Sequence, residues 1–144
     1  MINLENLSEI RMDRNITQEE MAKILGVKRN ALAKWEISVS YPSLEIIYNY
    51  AKFFGLSIDY ILGLIEIRTK ERYKDFNKEL FITNLRNLRM DNNYSQKGLS
   101  MKFGVTQAAI NRYEKGLSNP SLNILYKYSK LFNVTFHDLC TRKL

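Results

Sequence analysis

The sequence predicts an all-α protein built from two copies of one five-helix unit. Shifting residues 7–62 forward by 78 positions aligns them with residues 85–140 without a gap, and about a third of the aligned positions are identical. Within each copy, apolar residues recur at spacings of three and four, which is the helical period. No stretch alternates with a period of two for long enough to predict a strand. A gapless repeat of this length indicates two copies of one folded unit, so an activity carried by one copy is expected twice.

Length and composition are consistent with two small globular domains. The 144 residues divide into units of roughly 60 residues, a size at which domains fold alone. The 45% of hydrophobic residues argues against disorder. The apolar runs are too short to cross a bilayer and the N-terminus lacks a signal-peptide pattern, so we expect a soluble, cytoplasmic protein with no membrane partner. The single cysteine, Cys140, cannot form an internal disulfide, in agreement with a reducing compartment.

Five apolar stripes follow one another in the first copy, and each predicts a helix. They are centred on Leu4, Leu7 and Ile10, then on Met21, Ile24 and Leu25, then on Ala31, Leu32 and Trp35, then on Leu44–Phe54, and finally on Ile58, Ile61 and Leu62.

Capping residues mark the ends of these helices. Thr17 followed by Glu20 is a capping box that opens the second helix. Gly26 closes that helix, because glycine readily takes the left-handed conformation that a helix end requires. Pro120 is expected at the first helical position of the fourth helix in the second copy, where its missing N–H costs nothing. Good caps also precede the last helix of each copy, at Ser57 and Thr135.

We predict two domains, residues 1–64 and 79–144, joined by a linker of residues 65–78. The linker alternates charge and contains no Pro, Gly or Ser, so it does not have the composition of a flexible tether. A short solvated helix is the preferred interpretation, and irregular but ordered chain is the alternative.

The net charge of +7 is unevenly distributed. Residues 1–64 contain seven Lys or Arg against eight Asp or Glu, the linker five against three, and residues 79–144 ten against four. A basic balance favours a polyanionic partner, either nucleic acid or a membrane surface. A merely solvated surface would show the same charge, so charge alone does not decide between them.

Two short helices separated by a tight turn form a helix-turn-helix arrangement in each copy. Its residues are ITQEEMAKILGVKRNALAKWE in the first copy and YSQKGLSMKFGVTQAAINRYEKGLSNPSL in the second. These segments resemble the Xre family, the phage-repressor and Cro type of helix-turn-helix protein. The resemblance covers nearly the whole chain except the linker and the last few residues. It implies two tandem repressor-like helix-turn-helix domains joined by a charged linker, of bacterial or phage type.

The resemblance also implies that the third helix of each copy enters the major groove of DNA. Arg and Lys can pair with guanine there, and Asn and Gln with adenine. The two copies differ at every reading position, so they should not prefer the same half-site. The base-reading residues implied are Lys28, Arg29, Asn30 and Lys34 in the first copy, and Thr106, Gln107, Ala108 and Arg112 in the second.

Phosphate contacts are expected at the start of the second helix. Gln18 and Gln96 lie in its first turn, where unpaired backbone N–H groups and the helix dipole favour an anion. An exposed polar residue without a role is the alternative for each glutamine. The full set of predicted phosphate contacts is Thr17, Gln18, Ser95, Gln96, Lys115 and Asn119.

By the family pattern, Arg11 pairs with Glu36, and Arg89 with Glu114, as partly buried structural ion pairs between the first and third helices. The planar fork of arginine suits such a carboxylate contact. Two unrelated exposed charges are the alternative. One departure concerns the turn after the third helix, because the first copy has Ser38 where the second has glycine, and this should cost strain.

Enzyme chemistry finds little support. His137 and Cys140 lie three residues apart without further ligands, too few for a zinc site. There is no phosphate-binding glycine-rich loop and no nucleophile elbow, so we expect no catalytic residues, metal or cofactor.

The sequence therefore predicts a sequence-specific double-stranded DNA-binding transcriptional regulator, acting as a repressor. In the alternative, one domain binds DNA while the other is a dimerisation or partner-binding module, for example in an antitoxin. The expected partner is double-stranded DNA, with a homodimer and a protein partner left open. A scaffold protein that does not bind DNA is a third hypothesis.

Overall fold

A computed structural model describes all residues 1–144. It contains ten α-helices and no strand beyond a single isolated bridge. The chain forms two compact units, unit 1 from Met1 to Lys74 and unit 2 from Asp75 to Leu144. Each unit contains five helices, so the predicted all-α class and the predicted helix number are confirmed.

The helices follow the predicted apolar stripes. Those of unit 1 are α1 (Glu5–Asp13), α2 (Gln18–Leu25), α3 (Arg29–Glu36), α4 (Leu44–Phe54) and α5 (Ile58–Ile61). Those of unit 2 are α6 (Lys78–Asp91), α7 (Gln96–Phe103), α8 (Gln107–Lys115), α9 (Leu122–Phe132) and α10 (Phe136–Thr141). None of the ten has the length and apolar character needed to span a bilayer.

The fourth helix of each unit lies at its core. Ile47, Tyr50 and Ala51 of α4 are buried, as are Leu125 and Tyr128 of α9. Burying a leucine or isoleucine side chain contributes about 1.5–3 kcal/mol, so these helices supply much of the stability of units this small. The remaining helices pack around them and leave one face of α3 and of α8 in solvent.

Helix caps form largely as predicted. The Thr17 hydroxyl accepts from the Glu20 N–H at 3.1 Å, and the Glu20 carboxylate accepts from the Thr17 N–H at 3.2 Å, which completes the capping box. Gly26 is left-handed, with φ of +69°. The expectation for Pro120 is wrong. Helix α9 begins at Leu122, because the Ser121 hydroxyl accepts from the Ile124 N–H at 3.2 Å and so takes the capping position itself.

The predicted linker contains no helix before Lys78, so the preferred interpretation of residues 65–78 is wrong. Residues 65–74, which we call the strap, are irregular and contact the end of α4. The N–H of Ser57 donates to the Thr69 carbonyl at 2.8 Å, and that of Glu71 to the Gly55 carbonyl at 2.9 Å. The strap has no apolar stripe that a helix could bury, whereas irregular chain can satisfy these backbone groups.

Candidate nucleic-acid interface

Each unit joins its second and third helices by a three-residue turn that begins with a left-handed glycine. Gly26 and Gly104 have φ of +69° and +71°. The next residue donates its N–H back into the preceding helix, as Val27 does to the Ala22 carbonyl at 2.9 Å. Ala22 and Ser100 are both buried. Small residues at this position let the two helices approach closely, and the glycine lets the chain leave the first helix in the required direction.

The predicted reading residues are all exposed, most of them at the N-terminal ends of α3 and α8, with Lys34 and Arg112 further along the helices. The opposite face is core, since Leu32 and Ile110 have no exposed surface. Two of the reading residues also make contacts within unit 2. The Thr106 hydroxyl caps α8 by accepting from the Ala109 N–H at 3.0 Å, and Arg112 donates to the Leu117 carbonyl at 3.1 Å. Both units therefore present a solvent-facing surface of the predicted residues, and the role of those residues in base reading stays a prediction.

A buried ion pair holds the third helix of unit 1 against its first helix. Arg11 donates from Nε to Glu36 Oε2 at 2.9 Å and from Nη2 to Oε1 at 2.8 Å. The third nitrogen, Nη1, donates to the Ile16 carbonyl at 2.8 Å. Only 4% of the Glu36 side chain is exposed. The hydrogen bond to Glu36 raises the pKa of Arg11 above its ordinary value, so the guanidinium stays charged.

Unit 2 repeats this ion pair. Arg89 donates to both Glu114 oxygens, at 2.7 and 2.9 Å, and its third nitrogen donates to the Tyr94 carbonyl at 2.8 Å. Again 4% of the glutamate side chain is exposed. The hydrogen bond to Glu114 raises the pKa of Arg89. The structure thus brings together both predicted pairs in bidentate geometry, the strong form of this contact.

A glutamine completes the hydrogen-bond network around each ion pair, and this contact was not predicted from the sequence. Gln18 donates from Nε2 to Glu36 Oε1 at 3.0 Å, and Gln96 donates to Glu114 Oε1 at 3.3 Å. We call each set of arginine, glutamate and glutamine a clamp. The amide nitrogen carries two N–H groups. One is used in the clamp and the other stays available, so the predicted phosphate contact of each glutamine remains compatible with the structure. The only sign of this contact in the sequence was that Gln recurs at the same offset from Arg and Glu in both copies.

A helix-turn-helix family model matches the chain twice, over residues 7–61 and 85–139. These two matches cover most of the chain and coincide with the two clamped helix pairs.

The chain belongs to the Xre/Cro-type helix-turn-helix family.

Curated relatives of this helix-turn-helix chain are named as transcriptional regulators. The HTH-type transcriptional activator BcrR of Enterococcus faecalis is 40% identical over 65 residues, which cover 45% of this chain and 32% of that protein. The cryptic phage CTXphi transcriptional repressor RstR of Vibrio cholerae is 31% identical over 68 residues, 47% of this chain and 61% of that protein. An HTH-type transcriptional regulatory protein of Sulfolobus acidocaldarius is 29% identical over 143 residues, 92% of this chain and 45% of that protein.

The helix-turn-helix chain therefore spans between about a third and three fifths of the length of these relatives. No solved structure matches it.

Beside the clamp, the surface of unit 1 forms an open depression of about 620 Å³ lined by Arg11, Thr17, Gln18, Glu19 and Arg29. It lies where a phosphate contact is predicted, at the N-termini of α2 and α3. The Glu19 carboxylate in the lining opposes an anion there. In unit 2 the same position is Lys97. The predicted phosphate side of this helix-turn-helix protein is thus more favourable to an anion in unit 2 than in unit 1.

The loops after the two third helices differ in character. In unit 2 the last residue of α8 and the loop after it present the predicted phosphate contacts Lys115 and Asn119, both exposed. In unit 1 the aligned positions are Ile37 and Tyr41, which are 71% and 42% exposed, and Val39 between them is 66% exposed. The Ile37 side chain cannot bond a phosphate, whereas the Tyr41 hydroxyl can donate to one, so it is the predicted Lys115 contact that has no counterpart in unit 1.

Proposed function

We propose that this protein is a sequence-specific double-stranded DNA-binding transcriptional regulator that acts as a repressor, with α3 and α8 as its reading helices. The observation that carries the proposal is the clamp, which fixes an exposed reading face in each unit. A helix held by bidentate contacts at its C-terminal end loses little freedom on binding, and this lowers the cost of association.

The reading residues offer different chemistry in the two units. Lys28, Arg29 and Asn30 can donate to guanine and adenine edges in the major groove. In unit 2, Gln107 and Arg112 have the corresponding chemistry, while Ala108 can contact only a thymine methyl. One chain should therefore recognise a composite, non-palindromic site.

Unit 2 is proposed to supply more of the sequence-independent affinity. It has Lys97 where unit 1 has Glu19, and it has Lys115 at the end of its reading helix and Asn119 in the loop that follows. Each phosphate neutralised lowers the log of affinity by about 0.9 per log unit of salt. Binding should therefore be strongly salt-sensitive, and more so for unit 2.

Repression is proposed because it requires only that the protein occupy a promoter, whereas activation requires further contacts with the transcription machinery. Among the relatives, RstR is named a repressor and BcrR an activator, so their names alone do not decide. Transcription in vitro from a promoter carrying the selected site should fall as the protein is added. A rise in transcript would show an activator instead.

The full chain should be used to select sites from a random duplex library. Arg112→Ala is then expected to change preference at one base pair by about 1–3 kcal/mol. Lys115→Gln should weaken all sequences alike, because a phosphate contact carries no base information. Lys143→Gln, the same charge change near the C-terminus, is the matched control. Failure to enrich any site, together with a flat salt response, would show that duplex DNA is not the ligand.

The apolar loop of unit 1 favours a second candidate function, in which unit 1 is a dimerisation module and unit 2 alone binds DNA. The exposure of Ile37, Val39 and Tyr41 carries this candidate. The test measures the mass of the wild type and of the variant Ile37→Lys with Tyr41→Asn by light scattering. The two substitutions introduce the residues that unit 2 has at those positions. A dimer that the substitutions convert to a monomer supports it, and a monomeric wild type rejects it.

A further inference from the structure

A cleft of about 820 Å³ in unit 1 lies apart from the reading helix. Its walls are the C-terminal end of α1, the end of α4 and the strap. The volume is within the range of about 300–1,000 Å³ that small-molecule sites occupy.

The base of the cleft is apolar and its rim is basic. Ile10, Phe54 and Leu56 line it from the core side. The rim carries four cations against two carboxylates, namely Arg14, Arg68, Lys70 and Arg72 against Asp13 and Glu71. The cleft therefore combines an apolar base with an excess of positive charge.

Three of the four cations form no ion pair. Arg14 lies over the Phe54 ring with its guanidinium carbon 5.7 Å from the centroid, and no carboxylate pairs with it, Lys70 or Arg72. Arg68 bonds Asp13 at 2.9 Å, but 41% and 51% of the two side chains are exposed. Arg68 also donates to the Tyr60 hydroxyl at 3.4 Å and lies over that ring. An exposed ion pair contributes little, so Arg68 can exchange the Asp13 carboxylate for another at small cost while it keeps its contact with Tyr60.

Tyrosine and backbone bonds hold the strap in place, and Arg68 is its one cation that also bonds side chains of α1 and α5. The Tyr73 hydroxyl donates to the Leu56 carbonyl at 2.6 Å, and that of Tyr48 to the Lys74 carbonyl at 2.7 Å. With the backbone bonds to Gly55 and Ser57, these contacts order the wall of the cleft. The side chains of Lys70 and Arg72 have no part in that ordering, which leaves them free to bind an anion.

We propose that this cleft binds a small amphipathic anion, a carboxylate with an aromatic or aliphatic body. The carboxylate would bond the guanidinium groups of Arg68 and Arg72, whose planar fork matches it. The body would lie against Phe54 and Leu56. The site is distinct from the reading surfaces, so the proposal stands independently of DNA binding.

The experiment is a titration of the ¹⁵N-labelled full chain with 1-naphthoate, followed by NMR without DNA. Saturable shifts are expected at residues 13–14, 54–56 and 68–72, with a dissociation constant below about 1 mM. Neutral 1-naphthylmethanol should bind about tenfold more weakly, since it lacks the charge-assisted hydrogen bonds.

The variant Lys70→Gln with Arg72→Gln removes two exposed cations and should weaken naphthoate binding about tenfold or more. Lys102→Gln with Lys143→Gln makes the same charge change in unit 2 and should leave it unaltered. Absence of saturable shifts, or equal binding of naphthoate and naphthylmethanol, would overturn the proposal. The proposal would also be overturned if Lys70→Gln with Arg72→Gln weakened duplex DNA binding more than the control variant does and left naphthoate affinity unchanged. The basic cluster would then be a DNA-backbone contact.

Discussion

Units 1 and 2 share a clamp but differ in the residues around it. The arginine, glutamate and glutamine recur with the same bonds, at 2.8–3.0 Å in unit 1 and 2.7–3.3 Å in unit 2. The reading positions of α3 and α8, by contrast, differ at every aligned residue. The two copies thus diverged on the exposed face while the buried support kept its chemistry. The clamp residues orient the third helix of each unit, whereas the residues that differ are those proposed to choose the DNA sequence.

In the core near the clamp, the two units have the same residue with different hydrogen bonding. The Tyr50 hydroxyl donates to the Leu7 carbonyl. The aligned Tyr128 hydroxyl is buried without a hydrogen-bond partner. Burial raises the pKa of both phenols, so both stay protonated and each has an O–H to satisfy. Identical residues at aligned positions therefore contribute differently to the two units.

The largest expected effect comes from removing the clamp glutamate. Glu36→Ala and Glu114→Ala should each destabilise their own unit by about 3–5 kcal/mol, because a buried arginine loses its partner. Residue-resolved hydrogen exchange would assign the loss to one unit. The exposed Glu66→Ala should stay within about 0.5 kcal/mol and is the matched control. A loss no greater than that of the control would show that the clamp contributes nothing to stability.

A reciprocal exchange in the turn after the third helix should give the next largest effect. Ser38 has φ of +59° and the aligned Gly116 has φ of +70°. A left-handed residue other than glycine costs about 1–2 kcal/mol, so Ser38→Gly should stabilise unit 1 and Gly116→Ser destabilise unit 2 by about that amount. A Cβ on Gly116 would also lie 2.6 Å from Cδ1 of Ile82, which must move. Urea unfolding measures both changes, and equal signs would contradict the strain argument.

Removing the two buried tyrosine hydroxyls should give a smaller difference in stability change between the two units. Tyr50→Phe loses a hydrogen bond and should cost about 1 kcal/mol, whereas Tyr128→Phe removes an unpaired hydroxyl and should be neutral or slightly stabilising. Thermal melts of the two variants make the comparison, with each serving as the control for the other. An equal cost in both units would mean that Tyr128 has a partner in solution.

The smallest effect should appear on acidification. Hydrogen bonds from Thr17 hold the pKa of Glu20 below its ordinary value of 4.5. Because the pKa of Glu20 is lower in the folded than in the unfolded state, the capping box stabilises α2 at pH values above 4.5. This stabilisation is lost as the pH falls through the folded-state pKa. Unit 2 has Gly98 at this position, so α7 should not respond. NMR of the first-turn amides would show fraying in α2 alone, and Glu20→Gln should abolish the difference.

The helices and most caps could be predicted because their signals are local. Apolar spacing identified ten helices, and the pair Thr17 and Glu20 identified a cap from two residues. For the strap, irregular but ordered chain was only the alternative to a helix, since the conformation depends on the backbone groups of Gly55 and Ser57 that the strap bonds rather than on its own residues. The glutamines of the clamps were assigned only to phosphate, because their second contact requires three helices to meet at one carboxylate.

The strap has a practical consequence for dissecting this protein. The sequence repeat ends near residue 62, yet the backbone at Gly55, Leu56 and Ser57 is satisfied by residues 69, 71 and 73. A fragment cut at the end of the repeat would expose these groups and remove a wall of the cleft. The shortest fragment of unit 1 that can be expected to retain its native conformation therefore extends to Lys74.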